Sequence, residues 1–319
     1  MDNIAEIIKD SGNILILSHI DEDADAFASS LALKNVLNAM GKKTKYYLSE
    51  PIEKRLSFLS SDYEIYDPEK VCDEPWDLVV CLDSADIDRL GDRAVFLKKA
   101  KMTVNIDHHY TNTGYAAVNR VDGDMSSASE MVYDLICEMG EKITKKTAEL
   151  LYAGIMSDTG CLKYSCASPK TLRTVAALME CGIDHAMLCR ELFDTEDIEV
   201  IRLKGYVMDS LESYYGGKLT IAVVDTQVME KFGVRVNDIG DVVNIPRSVK
   251  GTQVALLIKK TSEKIKLSFR SNGVVNVAEI AAKIGGGGHV MAAGASMPLM
   301  DLNEAKEKLI KLIGESING

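Results

Sequence analysis

Residues 13–25 read Asn13-Ile-Leu-Ile-Leu-Ser-His19-Ile-Asp-Glu-Asp23-Ala-Asp25. The first six are a short apolar run of strand length, closed by a histidine and a string of acids. Beyond them Phe27, Leu31, Val36 and Met40 recur at helical spacing, and Gly41 supplies the residue that ends such a helix. Working outward, residues 45–48, 78–82 and 102–106 are further strand candidates, separated by segments that read as helix or loop. Strands alternating with helices predict an α/β fold on a parallel sheet.

The texture then changes twice. From residue 126 to about 213 the apolar spacing is helical nearly throughout, broken near 157–169 and at Gly182. At Tyr214 a Tyr-Gly-Gly-Lys turn predicts a hairpin. Residues 252–258 and 265–269 look like paired strands, and a helix is expected over 302–313. A chain of 319 residues is long for one domain. The expected organisation is a catalytic domain over 1–195, a charged helical linker over 196–213 and a smaller α/β domain over 214–319. No internal repeat is visible.

Composition bounds the class. Hydrophobic residues make up 46% and charged residues 27%, as in a folded protein. No apolar stretch approaches the ~20 residues of a membrane span, and the N-terminus lacks the basic and apolar regions of a signal peptide. A cytoplasmic protein without a membrane partner is expected. The cysteines at 72, 81, 137, 161, 166, 181 and 189 form an odd set without a C-x-x-C pair, which suits reduced thiols. Spacings among Cys161, Cys166, Cys181 and His185 fit no common zinc motif. The net charge of −11 is uneven: residues 214–319 carry 14 Lys and Arg against 10 Asp and Glu, leaving −15 on the rest. That balance disfavours long duplex nucleic acid. It suits either an ordinary solvated surface or a metal-holding domain paired with a phosphate-gripping one.

Three of the five histidines lie beside clustered aspartates. His19 closes the first strand and opens the pattern H-x3-D-x-D with Asp23 and Asp25. Asp83 follows the strand over 78–82, and Asp107, His108 and His109 follow that over 102–106. In an open parallel sheet these strand ends share one edge, where functional groups collect. Asp158 joins them where a long helical pattern breaks at Asp-Thr-Gly. Carboxylates with imidazoles and no thiolate suit Mn²⁺ or Mg²⁺, with Co²⁺, Zn²⁺ or Fe²⁺ as alternatives. Crowded carboxylates would repel unless cations neutralised them. Two cations ~3.5–4 Å apart would share a hydroxide and clamp the attacking and leaving oxygens of a phosphoryl ester.

These stretches resemble the DHH phosphoesterase superfamily, DHHA1 branch, and within it the nanoRNase and pAp phosphatase (NrnA-like) group. The resemblance rests on His19 to Asp25, Asp83, Asp107-His108-His109 with Ser126-Ser127, and Gly154-Ile-Met-Ser-Asp158-Thr-Gly160. A fifth stretch, Gly285-Gly286-Gly287-Gly288-His289 through Gly294, matches the DHHA1 signature. The resemblance implies one cation held by His19, Asp23 and Asp83, and another held by Asp25, Asp83, His108 and Asp158. It also implies His109 facing the scissile phosphate and Asp107 orienting a histidine. One departure stands out: the family usually has Pro-Asp-Gly-Asp where this chain has Glu22-Asp23-Ala24-Asp25, which raises a question about the turn.

In the C-terminal part, the run Gly285–Gly288 would let backbone N–H groups converge on an anion, the alternative being a linker. Arg270 and Ser271 are the expected phosphate contacts, and His289 a nucleotide contact; for Arg270 an ordinary surface arginine is the alternative. Lys259, Lys260, Lys264 and Lys266 read as a solvated hairpin face. The expected activity is hydrolysis of short single-stranded RNA or of adenosine 3′,5′-bisphosphate (pAp). Cleavage of linear pApA or a cyclic dinucleotide, a RecJ-like single-strand exonuclease and a non-catalytic nucleotide sensor are the alternatives. Homodimerisation is left open.

Overall fold

A computed structural model describes residues 4–60, 62–69 and 75–318, and the side chains of Asn237, Asp238, His289 and Asn318 lie outside that description. Cys72 falls outside it too; the six other cysteines form no disulfide. The chain divides into two compact units, 1–195 and 196–319.

The first unit holds a six-stranded sheet: β1 (Asn13–Leu17), β2 (Lys43–Leu48), β3 (Glu64–Ile65), β4 (Trp76–Leu82), β5 (Ala100–Asp107) and β6 (Val118–Val121). Its order is β3-β2-β1-β4-β5-β6, with every pair parallel. The chain winds outward from β1 to β3, then restarts at β4 and winds the other way. The switch point lies between β1 and β4, where an open α/β sheet forms its crevice.

Both faces of the central strands are buried, which is why they read as unbroken apolar runs. Ile14, Ile16, Leu78, Val80 and Ile106 pack on one side with α1 (Ile4–Asp10), α2 (Ala24–Ala39), α3 (Ala128–Met139), α4 (Lys145–Asp158), α5 (Pro169–Glu180) and α6 (His185–Cys189). Leu15, Leu17, Val79 and Cys81 face Tyr47, Leu90 and Phe96 on the other. Leu90 and Phe96 come from the 3₁₀ segment Asp88–Lys98, an irregular stretch that the sequence did not define. Gly41 takes the left-handed conformation just beyond α2, as expected.

The second unit opens with α7 (Ile198–Asp209), which covers the stretch expected as a helical linker. Its Val200, Leu203 and Val207 are buried with strand residues Ala222, Val224 and Leu257, so the helix is part of this unit's core. The unit's sheet runs β11-β12-β10-β9-β8-β7. It is built from β7 (Glu212–Tyr214), β8 (Leu219–Val224), β9 (Val254–Lys260), β10 (Lys264–Ser271), β11 (Gly287–His289) and β12 (Ala292–Pro298). Only β8–β9 is parallel. The short helices α8 (Thr226–Phe232) and α9 (Asn244–Arg247) lie between β8 and β9 in the chain, and α10 (Val277–Ala282) and the long α11 (Leu302–Asn318) complete the unit's apolar core. No helix of the described residues is long and apolar enough to cross a membrane.

Candidate metal centre

The loops after β1, β4 and β5 deliver His19, Asp83 and the pair His108–His109 to one edge of the sheet, at its switch point. Asp23 caps α2, its Oδ1 accepting from the N–H groups of Asp25 and Ala26 at 3.0 Å each. Asp158 comes from the last residue of α4. Three groupings result in which donor atoms lie within 4.8 Å of one another: His19, Asp23 and Asp83; Asp25, His108 and Asp158; and Asp83, His108 and His109. Asp83 and His108 each belong to two of them. The groupings thus bring together seven of the eight residues that the sequence placed at this edge, and the eighth, Asp107, is bonded to His109.

Asp83 is almost wholly buried and adopts φ 55°, a left-handed conformation that aspartate tolerates better than most residues. Its Oδ2 is 3.7 Å from His19 Nε2, and its Oδ1 is 3.3 Å from His108 Nε2 and 3.6 Å from His109 Nδ1. That Oδ1 accepts no hydrogen bond. Burial alone would raise the Asp83 pKa, but His108, His109 and His19 hold it well below the carboxylate range. Asp25 goes the other way: burial, then the charge of Asp83, pushes it up to about 7. Burial and the charge of Asp25 likewise lift Asp158 well above its ordinary value.

The supports of these groups are specific. Asp25 is fully buried and accepts from two amides at the start of α3, Ala128 N at 2.7 Å and Ser129 N at 3.0 Å. Gly154 leaves the space this carboxylate occupies, because a Cβ there would stand 2.6 Å from Asp25 Oδ1. Asp107, also fully buried, receives His109 Nδ1–H at 2.7 Å on Oδ1 and Asn112 Nδ2 at 2.6 Å on Oδ2. Burial works to lower the His109 pKa, but this bond and the Asp83 charge lift it above the ordinary value. Arg93 and Glu22 form a buried ion pair at 2.8 Å beneath the first loop. The Ala24 departure costs the turn nothing: Ala24 starts α2, and the left-handed residue of the loop is Asp21, φ 56°.

This donor set fits divalent cations. A buried acceptor without a donor, and carboxylates raised by one another's charge, describe a site short of positive charge.

The DHH family, N-terminal domain, matches residues 13–155, and the DHHA1 domain matches residues 216–318. The chain is 35% identical to the bifunctional oligoribonuclease and PAP phosphatase NrnA of Thermus thermophilus, over 98% of this chain and 93% of that one. The chain belongs to the DHH–DHHA1 phosphoesterase family. A Bacillus subtilis protein of the same name is 29% identical, with 89% of each chain covered. Among solved structures, an exopolyphosphatase-related protein from Bacteroides fragilis superposes with a TM-score of 0.91 at 27% identity, covering 99% of this chain and 95% of that one.

In the DHHA1 unit the expected substrate contacts fare unequally. Arg270 is half-buried near the end of β10, its Nη1 donating to Phe269 O at 2.9 Å. Ser271 is fully buried and its Oγ accepts from Gly273 N at 3.0 Å, so it serves the turn rather than the surface. Nor do the four glycines form one cradle. The N–H groups of Gly285 and Gly286 close α10, donating to Ala282 O and Ala281 O. Gly287 and Gly288 lie in β11, the outer strand of the sheet. Glycine is needed at 288, where φ is 141° and a Cβ would meet Ala292 O at 2.5 Å. The backbone of His289 pairs with Ala292; the role expected of its side chain lies outside the described residues.

Sequence reasoning missed Asn112, the Ala128–Ser129 amides and the Arg93–Glu22 pair. Only the α3 amides carried a signal, in the Ser126-Ser127 dipeptide ahead of that helix.

Proposed function

We propose that the chain is a two-metal phosphoesterase that hydrolyses short oligoribonucleotides and pAp. The observation that carries this reading is the set of three donor groupings at the switch point of the sheet, two of which share buried Asp83, while the third, Asp25, His108 and Asp158, reaches Asp83 through His108 at 3.3 Å. His19, Asp23 and Asp83 would hold one cation, and Asp25, Asp83, His108 and Asp158 the other. Bound there, the two ions supply a lowered pKa for the attacking water and neutralise charge on the phosphoryl oxygens. Mn²⁺ suits this donor mixture best, with Mg²⁺, Co²⁺ or Zn²⁺ as substitutes.

The protein's own groups do the rest. His109 donates Nδ1–H to buried Asp107, which fixes the ring and leaves Nε2 to face the substrate. Charged, it donates to a non-bridging or a leaving oxygen. The α3 amides keep Asp25 in place. Arg270, with Gly287, Gly288 and His289, is assigned to the nucleotide end of the substrate. The names of the T. thermophilus and B. subtilis relatives support the substrate choice, and six unpaired thiols suit a cytoplasmic setting.

The test is hydrolysis of pAp, pApA, cyclic di-AMP, a 3-mer and a 20-mer RNA with Mn²⁺. The reading expects pAp and the short RNAs to exceed the 20-mer in kcat/KM. A steady rise toward the 20-mer would replace it with a processive exonuclease.

A further inference from the structure

We infer that Arg89 binds the phosphoryl group under attack, its guanidinium on a non-bridging oxygen. The inference rests on the phosphoesterase reading and adds a substrate contact in the first unit, beside the metal ligands.

Arg89 lies six residues beyond Asp83, at the start of the segment Asp88–Lys98. Its backbone is tied to two of the three loops that build the centre. Its N–H donates to Asp86 Oδ1 at 3.0 Å in the loop after β4, and its carbonyl accepts from Ile20 N at 2.7 Å in the loop after β1. The residue is exposed, yet its Nη2 is only 3.1 Å from His19 Nδ1.

That histidine is not the partner the guanidinium requires. His19 Nδ1 also lies 2.7 Å from Ile20 O, a group that can only accept. Nδ1 therefore carries the proton, and Nε2 keeps its lone pair toward Asp23 and Asp83, as metal ligation demands. A protonated Nδ1 has nothing to offer an N–H donor. Among the described residues Arg89 also forms no ion pair, although aspartates crowd the site beside it.

Arg93, four residues on, shows the contrast. It is buried, and donates to Glu22 and Tyr47 O through Nη1, to Ser18 O through Nη2 and to Leu90 O through Nε. One arginine of this segment is consumed by the fold. The other holds uncommitted donors at the rim of the carboxylate cluster. An anion arriving with the substrate meets that need, and a planar guanidinium fork matches phosphoryl oxygens.

The test uses the full Mn²⁺-loaded chain and its Arg89→Ala, Arg89→Lys and Arg270→Ala variants. Inorganic phosphate is titrated calorimetrically, metal content is measured, and pAp and bis-p-nitrophenyl phosphate are the substrates. Arg89→Ala should keep its metals, bind inorganic phosphate at least ~10-fold more weakly, and lose ~10²- to 10³-fold in kcat on both esters. Added guanidinium should restore part of the rate, and Arg89→Lys should fall between. Arg270→Ala, at the proposed nucleotide end, should be impaired on pAp while binding inorganic phosphate as the wild type does. Unchanged phosphate affinity and rates in Arg89→Ala would overturn the proposal, and so would loss of bound metal, which would make Arg89 a support for His19. Were the wild-type chain to hydrolyse neither ester, the phosphoesterase reading would fall, while the phosphate titration would still decide whether Arg89 binds the anion.

Discussion

Replacing Gly154 by alanine sets two effects of opposite sign against each other. The residue sits inside α4, where alanine ordinarily stabilises by ~1 kcal/mol through helix propensity. Here the new Cβ would stand 2.0 Å from Ser129 Oγ, 2.6 Å from Asp25 Oδ1 and 2.9 Å from Ser129 Cβ. The serine hydroxyl can rotate away, but its Cβ cannot, and Asp25 is held by two amides of α3. Overpacking of this kind costs ~1–3 kcal/mol, which cancels or exceeds the propensity gain. Gly205 in α7 supplies the control, since a Cβ there meets nothing within 4 Å. Gly205→Ala should stabilise by ~0.5–1 kcal/mol, leaving Gly154→Ala about 1–3 kcal/mol below it. For units of this size that is roughly 2–4 °C in Tm per kcal/mol, read by scanning calorimetry so that separate transitions are resolved. Because the carboxylate that moves is a proposed ligand, Mn²⁺ affinity should also fall ~10- to 100-fold in Gly154→Ala. If Gly154→Ala were as stabilising as Gly205→Ala and bound Mn²⁺ unchanged, the steric account of this site would be refuted.

Two further perturbations separate fold from substrate binding. Arg93→Met leaves Glu22 buried without its partner and should cost ~3–5 kcal/mol in urea unfolding, whereas the double change with Glu22→Gln should cost less; equal costs would mean the pair is not coupled. Arg270→Ala should raise KM for pAp ~10- to 150-fold, the loss of a charged hydrogen bond, and leave hydrolysis of bis-p-nitrophenyl phosphate unchanged. Loss on the generic ester as well would show that Arg270 acts on the chemistry.

The parallel sheet was legible because its central strands are buried on both faces and so appear as apolar runs. β3 and β6 were not: one is two residues long, the other alternates between half-buried and exposed positions, and neither leaves an apolar signature. The stretch after residue 195 read as a linker because of its charges from Glu196 to Lys204, and its Ile198 and Ile201, which the structure exposes, blurred the apolar face. Only the packing of Val200, Leu203 and Val207 reveals which unit owns the helix. At the metal centre the donor side chains stood out by type and spacing. Their supports did not, apart from the Ser126-Ser127 dipeptide ahead of the α3 amides, because an asparagine or an arginine in a polar loop carries no mark in one sequence. The glycine run misled for a physical reason: a helix end and a hairpin strand demand the same residue as an anion cradle.

The central claim is that buried Asp83 is shared by two cations. Equilibrium dialysis against Mn²⁺ followed by elemental analysis, on the wild-type chain and on Asp83→Asn, tests it most directly when turnover of bis-p-nitrophenyl phosphate is measured on the same samples. The account predicts two Mn²⁺ per wild-type chain, loss of activity on chelation, and an Asp83→Asn variant that keeps at most one ion and turns over about 10³-fold more slowly. A wild-type chain that stays fully active without metal, or an Asp83→Asn variant that retains both ions and a tenth of the rate, would contradict it.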